Sequence, residues 1–318
     1  MAPNDLGDEP LDLQIFADED DADDKTYKQI LLALVSGELS PHAVAADFDA
    51  WVVRESNRRL KLLMERPDPK GLTPQEESSG MTMRMISPDA SGYIEEAFSA
   101  IARLFSAFPP NHPGQDRIIL FIEALSAMPE HRAPDAIPDS SNDGYITLWP
   151  FGGNWQALAE LFRKEASAYF FPCPDIGIPG SEKRLRWRNL QSAMARLTAM
   201  ELIDCGFLCA LEYILPSNPY YPGLGKKELD GPNVIGGSAI AGAQWIVAQP
   251  DLVGRYVYAQ CQQAGSVDGP RDMWSAERWG QWKEQFEFIA RDGRFDDEAR
   301  RVAELALRRM SGVELELA

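Results

Sequence analysis

The sequence predicts an all-α protein, an irregular multi-helix bundle of about nine or ten helices, and three observations predict it. Apolar residues recur at three- and four-residue spacing in segment after segment. An apolar residue followed by serine and proline opens two of those segments. Alternating β-branched residues of strand type are absent outside Tyr145 to Leu148. No fixed internal period recurs, which argues against a regular repeat protein; an irregular solenoid is the other architecture the pattern allows.

Taken in order, residues 1 to 24 hold ten Asp and Glu and no Lys or Arg. A run such as ADEDDADD repels itself and buries nothing, so this segment is expected to be an acidic disordered tail, followed by a single helical domain over 25–318. Leu39-Ser40-Pro41 supplies an apolar residue, a serine cap and a proline in the first turn, and Val44, Phe48, Trp51 and Val52 then follow at helical spacing. Ile86-Ser87-Pro88 repeats the device before Ile94, Phe98, Ile101 and Phe105. The polar, proline-bearing stretch from Pro67 to Gly80 between them reads as a loop. A helix is expected from about Gly114 to Met128, and the proline-rich stretch 129–153 is the candidate sub-boundary.

Asn154 can cap a helix through Phe171, and Ser181 opens the longest periodic stretch, reaching Leu215 with Gly206 as a point of kinking. Val234 to Ala248 is apolar on all sides, which places it in the middle of a bundle. Helices over about 251–263, 275–291 and 296–310 close the chain. In WSAERWGQWKEQF, Ser275 falls at the cap, Trp274 and Trp279 at the two staple positions, and Trp279, Trp282, Phe286 and Ile289 along one seam. The final helix carries the small residues Ala299 and Ala306, with Asp296 as its cap and Gly312 as its stop. The two together predict a C-terminal antiparallel hairpin.

The net charge of −18 falls to −8 once the first 24 residues are set aside, since the remainder carries 39 acids against 31 bases. Such a surface repels nucleic acid and anionic membranes, so neither is expected as a partner. The N-terminus has no basic, apolar secretory pattern, the longest apolar run is shorter than a membrane span, and the four cysteines form no CxxC pair. A cytoplasmic or nuclear protein is expected.

Chemical motifs are sparse. Three histidines and no paired cysteines give no metal-ligand spacing; the sequence predicts no metal and no cofactor. No GxSxG elbow or phosphate loop is present, and Ile235-Gly236-Gly237-Ser238 reads as a packing feature. Three weaker constellations remain. Glu201 and Asp204, with Glu212, are carboxylates within an apolar stretch, and burial would raise their pKa values and fit them for acid or base work. Trp245, Trp274 and Trp282 are candidate ligand contacts, set against the simpler reading that they are core. Lys183, Arg184, Arg186 and Arg188 surround Trp187 as a candidate patch for an anion or an acidic partner, set against intrachain pairing.

Several stretches together resemble an uncharacterised domain-of-unknown-function family abundant in filamentous fungi. They are Gly237 to Ile246, Trp274 with Trp279, Gln281-Trp282-Lys283, Phe286, and Glu298-Ala299-Arg300 through Met310, with Leu31 to Glu38 and Ala45-Ala46 looking like the family's opening. The resemblance implies a mostly helical, soluble fungal protein and supplies no reaction. Two functions stay open. The first is a non-catalytic protein that binds a protein or a small ligand; the second is a small-molecule enzyme using an aromatic helical cavity with a buried carboxylate.

Overall fold

In the computed structural model the described residues are 9–138, 143–149, 155–170, 174–225, 231–249, 252–263 and 274–317. Among them lie α1 (Ala22–Ser36), α2 (Pro41–Met64), α3 (Pro74–Ser78), α4 (Met83–Ile86), α5 (Ala90–Ala107) and α6 (Pro113–Ser126). A strand pair, β1 (His131–Pro134) and β2 (Tyr145–Leu148), precedes α7 (Trp155–Phe170) and α8 (Glu182–Ala199). The last four are α9 (Gly231–Val247), α10 (Val253–Gln263), α11 (Ala276–Arg291) and α12 (Asp297–Leu317). The architecture is all-α, with somewhat more helices than the periodicity alone separates. No described helix is long and apolar enough to cross a membrane. The chain forms two compact units.

One unit comprises 15–101 and 117–161. Its helix starts follow local capping chemistry. Asp21 accepts N–H bonds from Asp23 and Asp24 while Asp24 accepts from the Asp21 N–H, a reciprocal box that begins α1 inside the stretch expected to be an acidic tail. Within the same stretch Ile15 is buried, and Asp20 pairs with the buried Lys28; residues 1–8 lie outside the described ones. Ser40 caps α2 through the Ala43 N–H, as its position predicts. Ser87 does not cap α5: its hydroxyl donates to the Met83 carbonyl, and Asp89 takes the role by accepting from Gly92. The core contains Leu31, Phe48, Trp51, Phe98, Phe121 and Trp149. Tyr145 to Leu148 is a strand, antiparallel to β1 with Tyr145 opposite Pro134 and Leu148 opposite His131. Asp49 accepts from the Trp149 indole at 2.5 Å and pairs with His131 at 2.9 Å.

The other unit comprises 1–14, 102–116 and 162–318. At its centre α9 packs on α8, on α12 and on the 3-10 turn Ala210–Ile214. Small residues make this approach possible. A Cβ at Gly237 would stand 2.3 Å from the Ile176 carbonyl, and one at Gly242 would stand 3.2 Å from the Ala210 backbone. Ser181 and Ser275 cap α8 and α11 as expected, and Asp296 caps α12 through the Ala299 N–H. The α11–α12 hairpin forms: Trp279, Trp282, Phe286 and Ile289 face Ala299, Ala303, Ala306 and Met310. Two expectations change. Helix α12 runs through Gly312 to Leu317. The stretch from Ser181 to Leu215 is not one helix, because α8 stops at Ala199, Leu202 N–H returns to the Leu197 carbonyl, and Glu201 takes a left-handed φ of 56°.

Candidate functional site

Each candidate from the sequence can be placed. Trp245, Trp274 and Trp282 are fully buried in the C-terminal unit. Trp245 donates its indole N–H to Gln191 and meets Trp274 edge-on at 5.8 Å; Trp274 in turn meets Tyr256 at 6.2 Å. These are side chains packed against other side chains.

The four basic residues do not share one surface: Lys183 is exposed, Arg188 is half-buried, and the other two are withdrawn from solvent. Arg184 and Arg186 are each 1% exposed. Arg184 pairs with Asp296 at 2.8 Å, and Arg186 bonds Glu182, the Ser106 hydroxyl and the Asp12 carbonyl. Lys183 pairs with Asp175 at 3.0 Å, and Arg188 donates to the Asn189 side chain. Helix α8 is therefore a polar helix sunk in the core, whose two buried arginines near its start each reach a group distant in sequence, Asp296 for Arg184 and the Asp12 carbonyl for Arg186.

The three carboxylates separate. Glu201 is exposed, and Asp204 is exposed and accepts the Gly206 N–H at 3.0 Å. Glu212 is different. Its Oε1 is buried without a hydrogen-bond partner among the described residues, Arg278 lies 3.7 Å away, and burial holds its carboxyl above the ordinary glutamate range against the pull of that arginine. The Trp282 indole N–H also favours the charged form, but neither atom reaches hydrogen-bond geometry, so that help is weak. Burial likewise pushes up the thiols of Cys205 and Cys209, and raises that of Cys261 to about 12. Asn154 and the fourth cysteine, Cys173, lie outside the described residues.

A cleft that composition did not single out lies in the N-terminal unit. It has a volume of about 620 Å³ and is walled by the first turn of α1, the segment from Met81 to Asp89, and the first turns of α5. Six carboxylates line it, those of Asp21, Asp23, Asp24, Asp89, Glu95 and Glu96, against the guanidinium groups of Arg59 and Arg84. Arg59 is spent within the wall: it binds Asp23 at 2.7 Å, Glu55 at 3.3 Å and the Met85 carbonyl at 3.1 Å, and stands over the Tyr93 ring at 5.1 Å. Arg84 is largely exposed and lies 3.7 Å from Asp89. Glu95 and Glu96 have no cation within ion-pair distance among the described residues.

Two rings of the lining, Tyr27 and Tyr93, pack on the buried Trp51, at 5.9 Å and 4.9 Å. Tyr93 is 8% exposed, and its hydroxyl has no hydrogen-bond partner among the described residues. Burial raises both phenols, and for Tyr27 the charges of Asp24 and Glu96 add to the rise. Among the described residues no three acidic, histidine or cysteine side chains converge as a metal site would require. The signal that could have found this wall is Asp21-x-x-Asp24, an acidic version of the capping box ahead of Tyr27 and Leu31.

No curated protein and no solved structure matches the chain. A family described as a protein of unknown function, DUF3632, matches residues 96–286, from the first half of α5 to Phe286 in the tryptophan helix. Residues 31–46 and 298–310, which contributed to the resemblance in sequence, lie outside that match. Because the match spans well over half of the 318 residues, the chain belongs to the DUF3632 family.

Proposed function

We propose that the protein is a non-catalytic binding protein whose partner is a small ligand or another protein, and that it works in the cytoplasm or nucleus. One observation carries this reading. The tryptophans and arginines with the strongest chemical potential are consumed by packing and intrachain pairing, whereas the cleft of the N-terminal unit gathers six carboxylates in one concavity, Glu95 and Glu96 among them with no cation in ion-pair distance among the described residues. Three buried thiols free of disulfides suit a reducing compartment. Native mass spectrometry of the protein purified from its host tests the reading. A retained small molecule or partner released unchanged is expected; a retained molecule that the protein converts on incubation overturns it.

A second reading, a small-molecule enzyme, is favoured by one feature. Glu212 keeps a buried oxygen without a hydrogen bond and a raised pKa beside Arg278 and Trp282, the environment of a general acid. If this reading holds, Glu212→Gln abolishes turnover of the retained molecule while Glu201→Gln and Asp204→Asn, at exposed positions, leave it intact.

A further inference from the structure

We propose that the exposed side of the second half of α2, with the groove beside it, docks an acidic amphipathic helix of a partner protein. This rests on the binding reading given above, takes the protein partner of its two classes, and places that partner on a surface separate from the acidic cleft, with which it shares Arg59 and Met85.

The charge of this surface opposes that of the whole molecule. Between Val53 and Met64 the chain carries four bases, Arg54, Arg58, Arg59 and Lys61, and one acid, Glu55, in a protein of net charge −18. Glu55 is buried and bound by Arg58 and Arg59. The exposed positions of the stretch are Arg54, Asn57, Arg58, Lys61, Leu62 and Met64, three cations and no acid. Arg54 has no acid within ion-pair distance among the described residues. Glu55 holds Arg58 through Nε and Nη2, a fork that fixes the guanidinium and leaves Nη1 without a bond among the described residues. Lys61 has only Glu65 at 3.9 Å, and both side chains are largely exposed, so that pair is weak.

Beside the cations lies apolar surface with a concave shape. The groove has a volume of about 300 Å³, is walled by the end of α2 and by α4, and takes Leu62, Leu63, Met85 and Ile86 into its lining. Leu62, Met64 and Met85 are each more than half exposed. Large apolar side chains left in water beside charged ones mark interaction surfaces, and methionine adapts its shape to what covers it. The acid in the lining, Glu76, is spent internally. Arg66 takes one of its oxygens, and the Thr73 N–H and hydroxyl take the other at 2.8 Å and 2.9 Å.

The spacing of the cations names the occupant. Arg54, Arg58 and Lys61 step four and then three residues along α2, about 10 Å in all at 1.5 Å per residue. A second helix laid alongside repeats that step, so its carboxylates at i, i+4 and i+7 each meet a cation while an apolar side chain on the next stripe enters the groove. An extended chain, which repeats on one face about every 7 Å, is out of register by the third cation. An anionic membrane is flat, and it repels a molecule of this net charge.

The test is fluorescence anisotropy of the full chain with a labelled helical peptide built of Glu, Leu and Ala, its Glu and Leu residues on adjacent stripes. Binding at one site is expected. Arg54→Glu with Lys61→Glu, both at exposed positions, should weaken it about tenfold and confer binding of the counterpart peptide that carries Lys in place of Glu. The same reversal at Arg301 and Arg308, exposed on α12, should not, which separates local pairing from net charge. Leu62→Asn with Met85→Asn should weaken binding several-fold and, at two exposed side chains, leave the unfolding midpoint unchanged. Absence of binding, binding indifferent to the α2 or groove variants, equal loss from the α12 pair, or equal binding of a peptide with Ser in place of Leu each overturns the proposal. Binding of phosphatidylserine vesicles in place of the peptide assigns the surface to a membrane, and self-association abolished by the same variants assigns it to a second copy of the chain; either overturns it. Conversion of a retained host ligand overturns the non-catalytic reading by itself, whatever the peptide does.

Discussion

Replacing Trp282 by alanine separates packing from ligand recognition. Trp282 is fully buried on the α11 seam that meets α12, so truncation removes apolar area from the middle of the hairpin. A tryptophan buries about 150–250 Å², which at about 25 cal/mol per Å² corresponds to about 4–6 kcal/mol. That figure is an upper bound, because the unfolded chain hides part of the surface. Polar terms offset little: the indole N–H makes no hydrogen bond among the described residues, so its removal strands no partner there except the weakly helped Glu212 carboxylate. The expected loss is about 3–5 kcal/mol, in line with large aromatic truncations in cores. With a urea slope of about 2 kcal/mol/M, the transition of the C-terminal unit moves down by about 1.5–2.5 M. Far-ultraviolet circular dichroism should follow it, fitted with separate transitions for the two units, since two compact bodies need not unfold together. A loss below about 1 kcal/mol, accompanied by loss of a bound molecule, would refute the packing argument and make Trp282 a ligand contact.

Other consequences are as direct. Gly280→Ala should stabilise α11 by about 0.5–1 kcal/mol because its Cβ meets open space, whereas Gly237→Ala should destabilise by several times that, its Cβ falling 2.3 Å from the Ile176 carbonyl; thermal melts of the two variants check the contrast. Glu212 titrates higher folded than unfolded, so its protonated form is favoured in the native state and its stabilising share is lost as pH rises from the ordinary value of 4.5 through the raised folded one. Glu212→Gln should therefore flatten the fall of stability across that window, and an unchanged slope in urea melts against pH would count against the assignment. Cys205, Cys209 and Cys261 should resist a thiol reagent at neutral pH until the chain is unfolded; rapid labelling of any of them in the native protein, read by peptide mass, would contradict their burial.

Elements whose causes are local were legible in the sequence. Ser40, Ser181, Ser275 and Asp296 cap the helices they precede, and the tryptophan seam meets the alanines it was matched to. Failures arose where two local options competed. Ser87 sits in the same context as Ser40, but Asp89 lies closer to the first free N–H of α5, and the Ser87 hydroxyl turns back to Met83. Thr198 bonds the Met194 carbonyl and receives the Cys205 N–H, which closes α8 well before the apolar pattern ends. The acidic run before Lys25 reads as self-repelling charge, but its Asp21-x-x-Asp24 spacing also closes a capping box. That is why the cleft wall it builds stayed out of view.

The deeper limit is set by α8. Its sequence, EKRLRWRNLQSAMARLTA, has the polarity of a surface helix, yet Arg184, Arg186, Gln191 and Arg196 are all buried. Within the helix only Glu182 helps, through Arg186. The partners are Asp296, the Asp12 carbonyl, Ser106, Gln115 and Asp116, contributed from three separate stretches of the chain, and the Gln191 side chain joins the Ala210 N–H to the Trp245 indole. Buried ion pairs seldom add net stability, because desolvation offsets their attraction; removing one partner alone is what costs about 3–5 kcal/mol. Arg186 with three acceptors and Gln191 with two donors therefore act as constraints on which segments can close over α8. Hydrophobic periodicity says that a helix exists and which stripe is apolar. It carries no information on whether its polar stripe meets water or a distant acid, and for α8 that difference decides whether Arg184 and Arg186 read as part of a binding patch or as the framework of the core.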